Sequence, residues 1–556
     1  MKRQLFLIVF ILCNCSIEVI AQNPTLAWAK GMGGINNDQG SSIAVDGVGN
    51  VYTTGYFSAT TDFDPGSGTF TLTPGGGSDV FISKLDPVGN FVWAKQIGGP
   101  SPLDHGYGIT LDALGNIYTT GCFGGTADFD PGLGTFTLAT GSNFNSDIFI
   151  SKLDPNGNFM WAKQFGGSYG DKGFSIAIDA FANIYTTGSF GSTVDFDPGP
   201  GTFTLTSMGG SDIFVSKLDA GGNFIWAEQL GGTGASDFGY GIAIDVSANV
   251  YTTGTFGGTA DFDPGPGTCI FTGYNNDIFI SKLNAAGNFV WAKQLAGKGG
   301  ETAYGISVDA SSNVYSTGYF QDTVDFDPNI GTFTLAANAE DMFISKLDAA
   351  GNFLWAKQSG GSLSQQGNGI AVDASSNVYT TGFFADTTDF DPGVGTFTLV
   401  SASGSAFVST LDAAGNFIWA GQLGGNGLSI SLDASNNIYT TGYFDGTADF
   451  DPNAGVFNLS SVGLSDIFVH KMSQAPLNIK EAIFINNCKI YPNPFNNKIT
   501  IASQDIKQTV QIFNTLGVAL YNGKIENEKT EIDLSDFAAG IYFIKIGSET
   551  KKVIKE

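Results

Sequence analysis

The residues with the most direct capacity for chemistry are paired carboxylates. The run Asp-Phe-Asp-Pro occurs seven times and places Asp62 with Asp64, Asp128 with Asp130, Asp195 with Asp197, Asp261 with Asp263, Asp325 with Asp327, Asp389 with Asp391 and Asp449 with Asp451. In an extended segment residues two apart face the same way, so each pair can present two carboxylates to one cation while the intervening Phe packs inward. Calcium takes about six to eight oxygen ligands, and Asp-x-Asp followed by Gly opens many calcium loops. The third acidic ligand and the closing Glu of an EF-hand loop are absent. The competing reading is structural. Pro65 forces Asp64 into the extended region, Gly66 turns the chain, and Asp62 hydrogen-bonds the turn backbone. Seven copies favour structure, since a catalytic site needs one, and calcium stays as the weaker alternative with no other cofactor expected.

Other catalytic sets are thin. His105 and His470 are the only histidines, and both read as ordinary surface or strand residues. Cys122 stands where other repeats have Tyr56, Thr255 or Phe383, and Cys269 where they have Phe70 or Phe136. With Cys488 they form neither a disulfide framework nor a metal-ligand spacing. No Ser-His or Cys-His pair is suggested, and a glycosidase-type pair of acids is the remaining catalytic opening.

The elements that carry these residues repeat with them. The Asp-Phe-Asp-Pro starts lie about 60 to 67 residues apart, and Trp28, Trp93, Trp161, Trp226, Trp291, Trp355 and Trp419 keep the same beat. Fixed-period self-similarity names an architecture before any local feature does. Within a unit, runs such as Ser-Ile-Ala-Val-Asp, Asn-Val-Tyr-Thr-Thr-Gly, Val-Phe-Ile-Ser-Lys-Leu and Phe-Val-Trp-Ala-Lys read as short strands. Turns of the form Asp-x-x-x-Asn, as at Asp46–Asn50 and Asp86–Asn90, join them in pairs, with Asp opening the turn. Four strands per unit, repeated, predict an all-β fold: a seven-bladed β-propeller. Thirteen Asp/Asn-x-x-x-Asn turns, one of them opened by Asn284, occur where seven complete blades need fourteen. The chain begins with half a hairpin, Leu26–Lys30, and the repeats end with the other half, Asp466–Lys471. The two termini are therefore expected to complete one blade and leave no open sheet edge. One unit departs from the pattern: Asp79 and Lys84, repeated elsewhere, become Ser405 and Thr410. Five apart on a strand, these two cannot pair with each other, and pairing between neighbouring blades is the expectation.

Asp112–Gly121, Asp-Ala-Leu-Gly-Asn-Ile-Tyr-Thr-Thr-Gly, resembles the bacterial seven-bladed β-propeller repeat family, over roughly residues 22–475. Beyond it the composition changes. Residues 1–21 read as a secretory signal, with Lys2-Arg3, an apolar core Leu5–Leu12 and Val19-Ile20-Ala21 before Gln22. A lipoprotein signal fits less well, because Leu12-Cys13-Asn14 precedes Cys15. The apolar run is too short to anchor the mature chain, and no other segment approaches transmembrane length. Residues 22–473 form the propeller, 474–487 a linker, and 488–556 a small antiparallel sandwich followed by Lys551, Lys552 and Lys555. That last segment, with Ile490-Tyr491-Pro492-Asn493-Pro494 and Gly540–Lys545, resembles the C-terminal sorting domain of type IX secretion cargo in Bacteroidota. The resemblance implies export across both membranes, engagement of the type IX machinery, removal of the tail by a sortase-like peptidase, and release or attachment to surface lipopolysaccharide.

Net charge is −27, and the repeats carry essentially all of the excess acid. Such a body disfavours nucleic acid, which needs cationic surface, and suits a soluble exported protein. Two functions remain: a non-catalytic extracellular or surface propeller that binds a glycan or protein, and a polysaccharide lyase or hydrolase on the same scaffold. A site requires a cluster of unlike residues. Spacing stays nearly constant and no unit carries an extra loop, so each face is expected to be close to seven-fold uniform. Binding without catalysis is the preferred reading.

Overall fold

The computed structural model describes residues 23–141, 145–234, 236–474, 488–503, 506–514, 517–546 and 549–556. The expected signal at 1–21 and all but the first residue of the expected linker lie outside them. The described residues contain strands and turns, with no helix long and apolar enough to cross a membrane. They fall into two compact bodies, within Ala21–Ala475 and Pro476–Glu556.

In the larger body the strands pair antiparallel in sets of four. Unit 1 is Asp38–Val45, Val51–Phe57, Asp79–Leu85 and Phe91–Ile97, paired in that order. Units 2 to 6 begin at His105, Lys172, Phe238, Thr302 and Gln365 and repeat that order. Unit 7 comprises Asn426–Leu432, Ile438–Phe444 and Asp466–Ser473, and its fourth strand comes from the other end of the chain. Thr25–Gly34 lies antiparallel to Asp466–Ser473, with Ala29 opposite His470 and Met32 opposite Ile467. First strands touch one another in chain order, and Asp38–Val45 touches both His105–Leu111 and Asn426–Leu432.

The turns explain much of the repeated sequence. Asp46 N–H donates to Asn50 O at 3.0 Å, while Asp46 Oδ1 accepts from the N–H of Val48 and Asn50. The residue just before the Asn takes positive φ. In the turns between first and second strands it is Gly49 or Gly115, and also Ala182, Ala248, Ser312, Ser376 and Asn436. In the turns between third and fourth strands it is always Gly. A Cβ at Gly89 would lie 2.8 Å from Lys30 Cε and 2.9 Å from Trp28 Cδ2, so the preceding unit's Trp and Lys forbid one.

Cores lie between units. One cluster combines Tyr52, Val80 and Ile97 of unit 1 with Ile109, Phe123, Phe129 and Phe149 of unit 2. The third-strand Lys binds units in a different way from the one expected. Lys84 Nζ sits 4.9 Å from the Tyr52 ring centroid and donates to Pro155 O, in the following unit's outer turn, at 3.3 Å. Its equivalents make the same two contacts, and Lys471 reaches Pro87 O at 3.1 Å, from unit 7 to unit 1. The partner across the junction is a carbonyl, not the Asp79-type carboxylate. Thr410 falls where unit 7 has no outer turn to receive a lysine.

The smaller body is a pair of sheets, one of Cys488–Tyr491, Lys498–Ser503 and Lys529–Asp533, the other of Thr509–Asn514, Ala519–Lys524, Gly540–Ile546 and Glu549–Lys555. Ile499, Ile501, Ile512, Ile544 and Val553 fill the space between them. Lys555 is buried and its ammonium donates to the carbonyls of Leu534, Ser535 and Phe537.

Candidate functional site

The Asp-Phe-Asp-Pro carboxylates serve the backbone. Asp62 Oδ1 accepts from Asp64 N–H at 3.1 Å and Phe70 N–H at 2.9 Å, and Asp64 Oδ1 accepts from Gly66 N–H at 2.8 Å. Phe63 between them is fully buried, edge-on to Phe57 at 5.4 Å. Asp128, Asp195, Asp261, Asp325, Asp389 and Asp449 bind the same pair of N–H groups. Asp130, Asp197, Asp263, Asp327, Asp391 and Asp451 repeat the contact of Asp64. Among the described residues no group of three or more His, Cys, Asp or Glu is placed to hold a metal ion.

A second set of carboxylates lies at the junctions between units. Asp79 is 1% exposed and Asp104, of the next unit, is fully buried. Asp79 Oδ2 accepts from Gly75 N–H at 3.1 Å and Gln96 Nε2 at 2.6 Å, while Oδ1 has no partner. Asp104 accepts from Gly99 N–H and Gly124 N–H, one from each unit, both at 2.9 Å. Burial pushes Asp104 up to about 7, and the Asp79 charge acts in the same direction. The arrangement recurs as Asp147 with Asp171, Asp212 with Asp237, Asp277 with Glu301, and Asp466 with Asp38 where unit 7 meets unit 1. A Cβ at Gly231 would stand 2.9 Å from Asp237 Oδ2 and 3.0 Å from Asp212 Oδ1, so these oxygens face one small space. A proton on one member gives the unpartnered oxygen a hydrogen to donate and removes half of the buried charge. Between units 5 and 6 the pair is Asp341 with Gln365. Between units 6 and 7 it is Ser405 with Gly425.

That junction is also where the spacing changes. Eleven residues separate Trp419 from Ile430, against fifteen or sixteen in the other units, as in Trp28 to Ile43 or Trp93 to Ile109. A cavity of about 750 Å³ lies at this junction, with Phe383, Ser405, Gln422, Gly425, Tyr443 and Asp449 in its walls, and one of about 670 Å³ lies at the equivalent positions between units 5 and 6.

The faces are not uniform, and the first strands differ from unit to unit. One cavity of about 470 Å³ is lined by the first strands of all seven units. Five residues before each inner-turn Asp, this lining carries Ser41, Tyr107, Phe174, Tyr240, Tyr304, Asn368 and Leu428. Four consecutive units thus supply rings. Their centroids stand 5.4 Å apart from Tyr107 to Phe174, 5.1 Å from Phe174 to Tyr240 and 5.3 Å from Tyr240 to Tyr304. Tyr56 and His105 extend the arc, stacked at 4.1 Å, and burial holds His105 down at about 4, hence neutral. Amides occupy the opposite side. Asn368 Nδ2 donates to Gly427 O at 2.8 Å and Asn426 Oδ1 at 3.2 Å, and Asn426 Nδ2 donates to Tyr443 OH at 3.2 Å.

No sequence motif marks these positions, because what distinguishes them is divergence within an otherwise constant repeat. The aligned columns at Gln39, Ser41 and Tyr56 vary in chemistry, and Cys122 belongs to the third of them. Burial pushes the Cys122 thiol up to about 11. His470 lies elsewhere, fully buried on its strand, with Nε2 3.0 Å from Phe450 O.

Comparison with known proteins agrees with the repeat and the tail. Residues 28–56, 92–121, 161–189, 225–255 and 354–382 match the β-propeller repeat family, and residues 489–556 match the secretion system C-terminal sorting domain family. An uncharacterised WD repeat-containing protein of Acanthamoeba polyphaga mimivirus is 27% identical over 507 residues, covering 77% of this chain and 36% of that protein. The chain thus spans about a third of the length of that relative. Among solved structures, Sqt1 from Chaetomium thermophilum is 11% identical, with 82% of this chain and all of that one covered at a TM-score of 0.37. BamB from Moraxella catarrhalis is 12% identical, with 81% and 100% covered at a TM-score of 0.33. The type IX sorting tail assigns the chain to secretion or to attachment at the outer-membrane surface.

Proposed function

We propose that this β-propeller repeat protein with a type IX C-terminal sorting domain is a seven-bladed ring that works outside the cell as a non-catalytic binding scaffold. Ring closure is supported by the Thr25–Gly34 strand in unit 7 and by the unbroken cycle of first-strand contacts. The sorting domain engages the secretion machinery, and a sortase-like peptidase then removes it to leave the ring released or held at the surface.

The observation that carries the binding role is the central cavity. Every unit contributes to it through a column where the repeat diverges, and its lining differs from one side to the other. Concave sites with apolar rings and a few convergent polar groups are where ligands bind. No Asp, Glu, Lys, Arg, His or Cys lines this cavity, so no carboxylate, imidazole, amine or thiol stands in the lining to activate the serines and tyrosines that do. The test is to screen the full chain on glycan and protein arrays beside a Tyr107→Ala, Tyr240→Ala double variant of equal melting temperature. Hits lost in the variant support the reading. Hits that survive it, or turnover of a polysaccharide abolished by one acid substitution, overturn it.

A further inference from the structure

Resting on that binding role, we infer that the central cavity takes a neutral saccharide, held with one ring face on the aromatic arc and its hydroxyls on the amide side. The first support is charge. The chain carries −27, yet none of the side chains lining this cavity is an acid or a base. An ionic ligand would meet no counter-charge here and would lose its hydration on entry. The ligand is therefore uncharged.

The second support is the division of the lining. Tyr107, Phe174, Tyr240 and Tyr304 are half-buried and follow one another around the cavity at ring spacings of 5.1 to 5.4 Å. Half-buried rings keep a face or edge toward the cavity, and a pyranose presents a flat patch of C–H groups to such a surface. Across from Tyr107 and Phe174 stand Asn368, whose Nδ2 is spent on Gly427 O and Asn426 Oδ1 and which offers its Oδ1 as an acceptor, and Gln366, which gives one Nε2 hydrogen to Glu340 Oε2 and keeps a donor and an acceptor for sugar hydroxyls. Tyr hydroxyls add the same dual character along the arc. An apolar ligand would leave the amide oxygens of these side chains unpaired. The volume, about 470 Å³, lies within the range of roughly 300 to 1,000 Å³ typical of small-molecule sites.

The experiment is calorimetric titration of the full chain with neutral hexasaccharides of glucose and of mannose, beside hexamers of a uronic acid and of glucosamine. At least one neutral hexamer should bind, and the charged hexamers should bind more weakly by about tenfold or more. Tyr240→Ala should weaken that binding about tenfold, while Tyr240→Phe, which keeps the ring, should change it less than about threefold. Asn368→Ala should weaken it by a similar factor to Tyr240→Ala. Matched melting curves establish that each variant is folded. Equal or tighter binding of a charged hexamer would overturn the inference, as would neutral binding indifferent to Tyr240→Ala and Asn368→Ala. If array hits of another chemistry vanish in the Tyr240 variant while no hexasaccharide binds, the saccharide assignment falls and the binding role stands. If no probe's binding depends on either residue, both fall.

Discussion

Raising the pH from 5 to 9 should destabilise the repeat body in steps traceable to its junction carboxylates. Asp104, Asp171 and Asp237 are pushed up to about 7 and Glu301 to about 8, in each case by burial first and by the paired Asp79, Asp147, Asp212 or Asp277 in addition. Asp322 also bears on Glu301. Asp38 and Asp466 reach about 6, with Asp445 acting on the latter. The unfolded chain loses these protons near pH 4, so between that value and the raised ones the folded state holds more protons. Stability is therefore full below about pH 4 and falls as pH rises through 6 to 8. A carboxyl held about three pH units above its ordinary value corresponds to on the order of 4 kcal/mol per junction once both states are ionised. The assay is chemical denaturation at half-unit steps of pH. Asp104→Asn places an amide where the raised carboxyl stands, as Gln365 does for its own junction, and should remove that junction's share of the slope. Combining it with Asp171→Asn, Asp237→Asn and Glu301→Gln should leave a much flatter profile. A quadruple variant whose profile runs parallel to the parent's would refute the shared protons.

Three further outcomes follow from the packing. Lys471→Ala removes a contact to the Tyr439 ring at 5.0 Å and a charged hydrogen bond to Pro87 O, and should cost about 2 kcal/mol in denaturant unfolding. Gly68→Ala would put a Cβ 2.1 Å from Asp64 Oδ2 and should cost about 1 to 3 kcal/mol, whereas Gly47→Ala, with nothing within 4 Å, should be nearly neutral by the same measurement. Deleting residues 488–556 should leave the chain in the periplasm of a host with type IX secretion, as read by cell fractionation; normal surface delivery would contradict the sorting role.

The strands, their order within a unit and the tail sandwich were legible because period, alternation and turn chemistry are local. The Asp-x-x-x-Asn turns specify their own geometry through the Asp side chain, and the Trp beat follows, for all but Trp419, from a glycine that each Trp covers in the next unit's outer turn. What was not legible depends on contacts about one repeat apart. Asp79 and Lys84 looked like partners across a junction, but the lysine meets a turn carbonyl and the acid meets Asp104. The four-residue shortening before Ile430 is written in the sequence, but its place at a junction between units is not. The central cavity stayed hidden for a physical reason: seven residues some 60 positions apart become neighbours only when the first strands gather side by side.

The most direct test of the binding account is hydrogen exchange on the full chain, with and without the ligand that the array or the titration identifies. The account predicts slowed exchange in the first strands of several units together, among them His105–Leu111, Lys172–Ile178, Phe238–Ile244 and Thr302–Val308, with the outer turns at Asp86–Asn90 and Asp154–Asn158 unchanged. Protection confined to the outer turns or to the Asp-Phe-Asp-Pro loops, with the first strands unaffected, would contradict it.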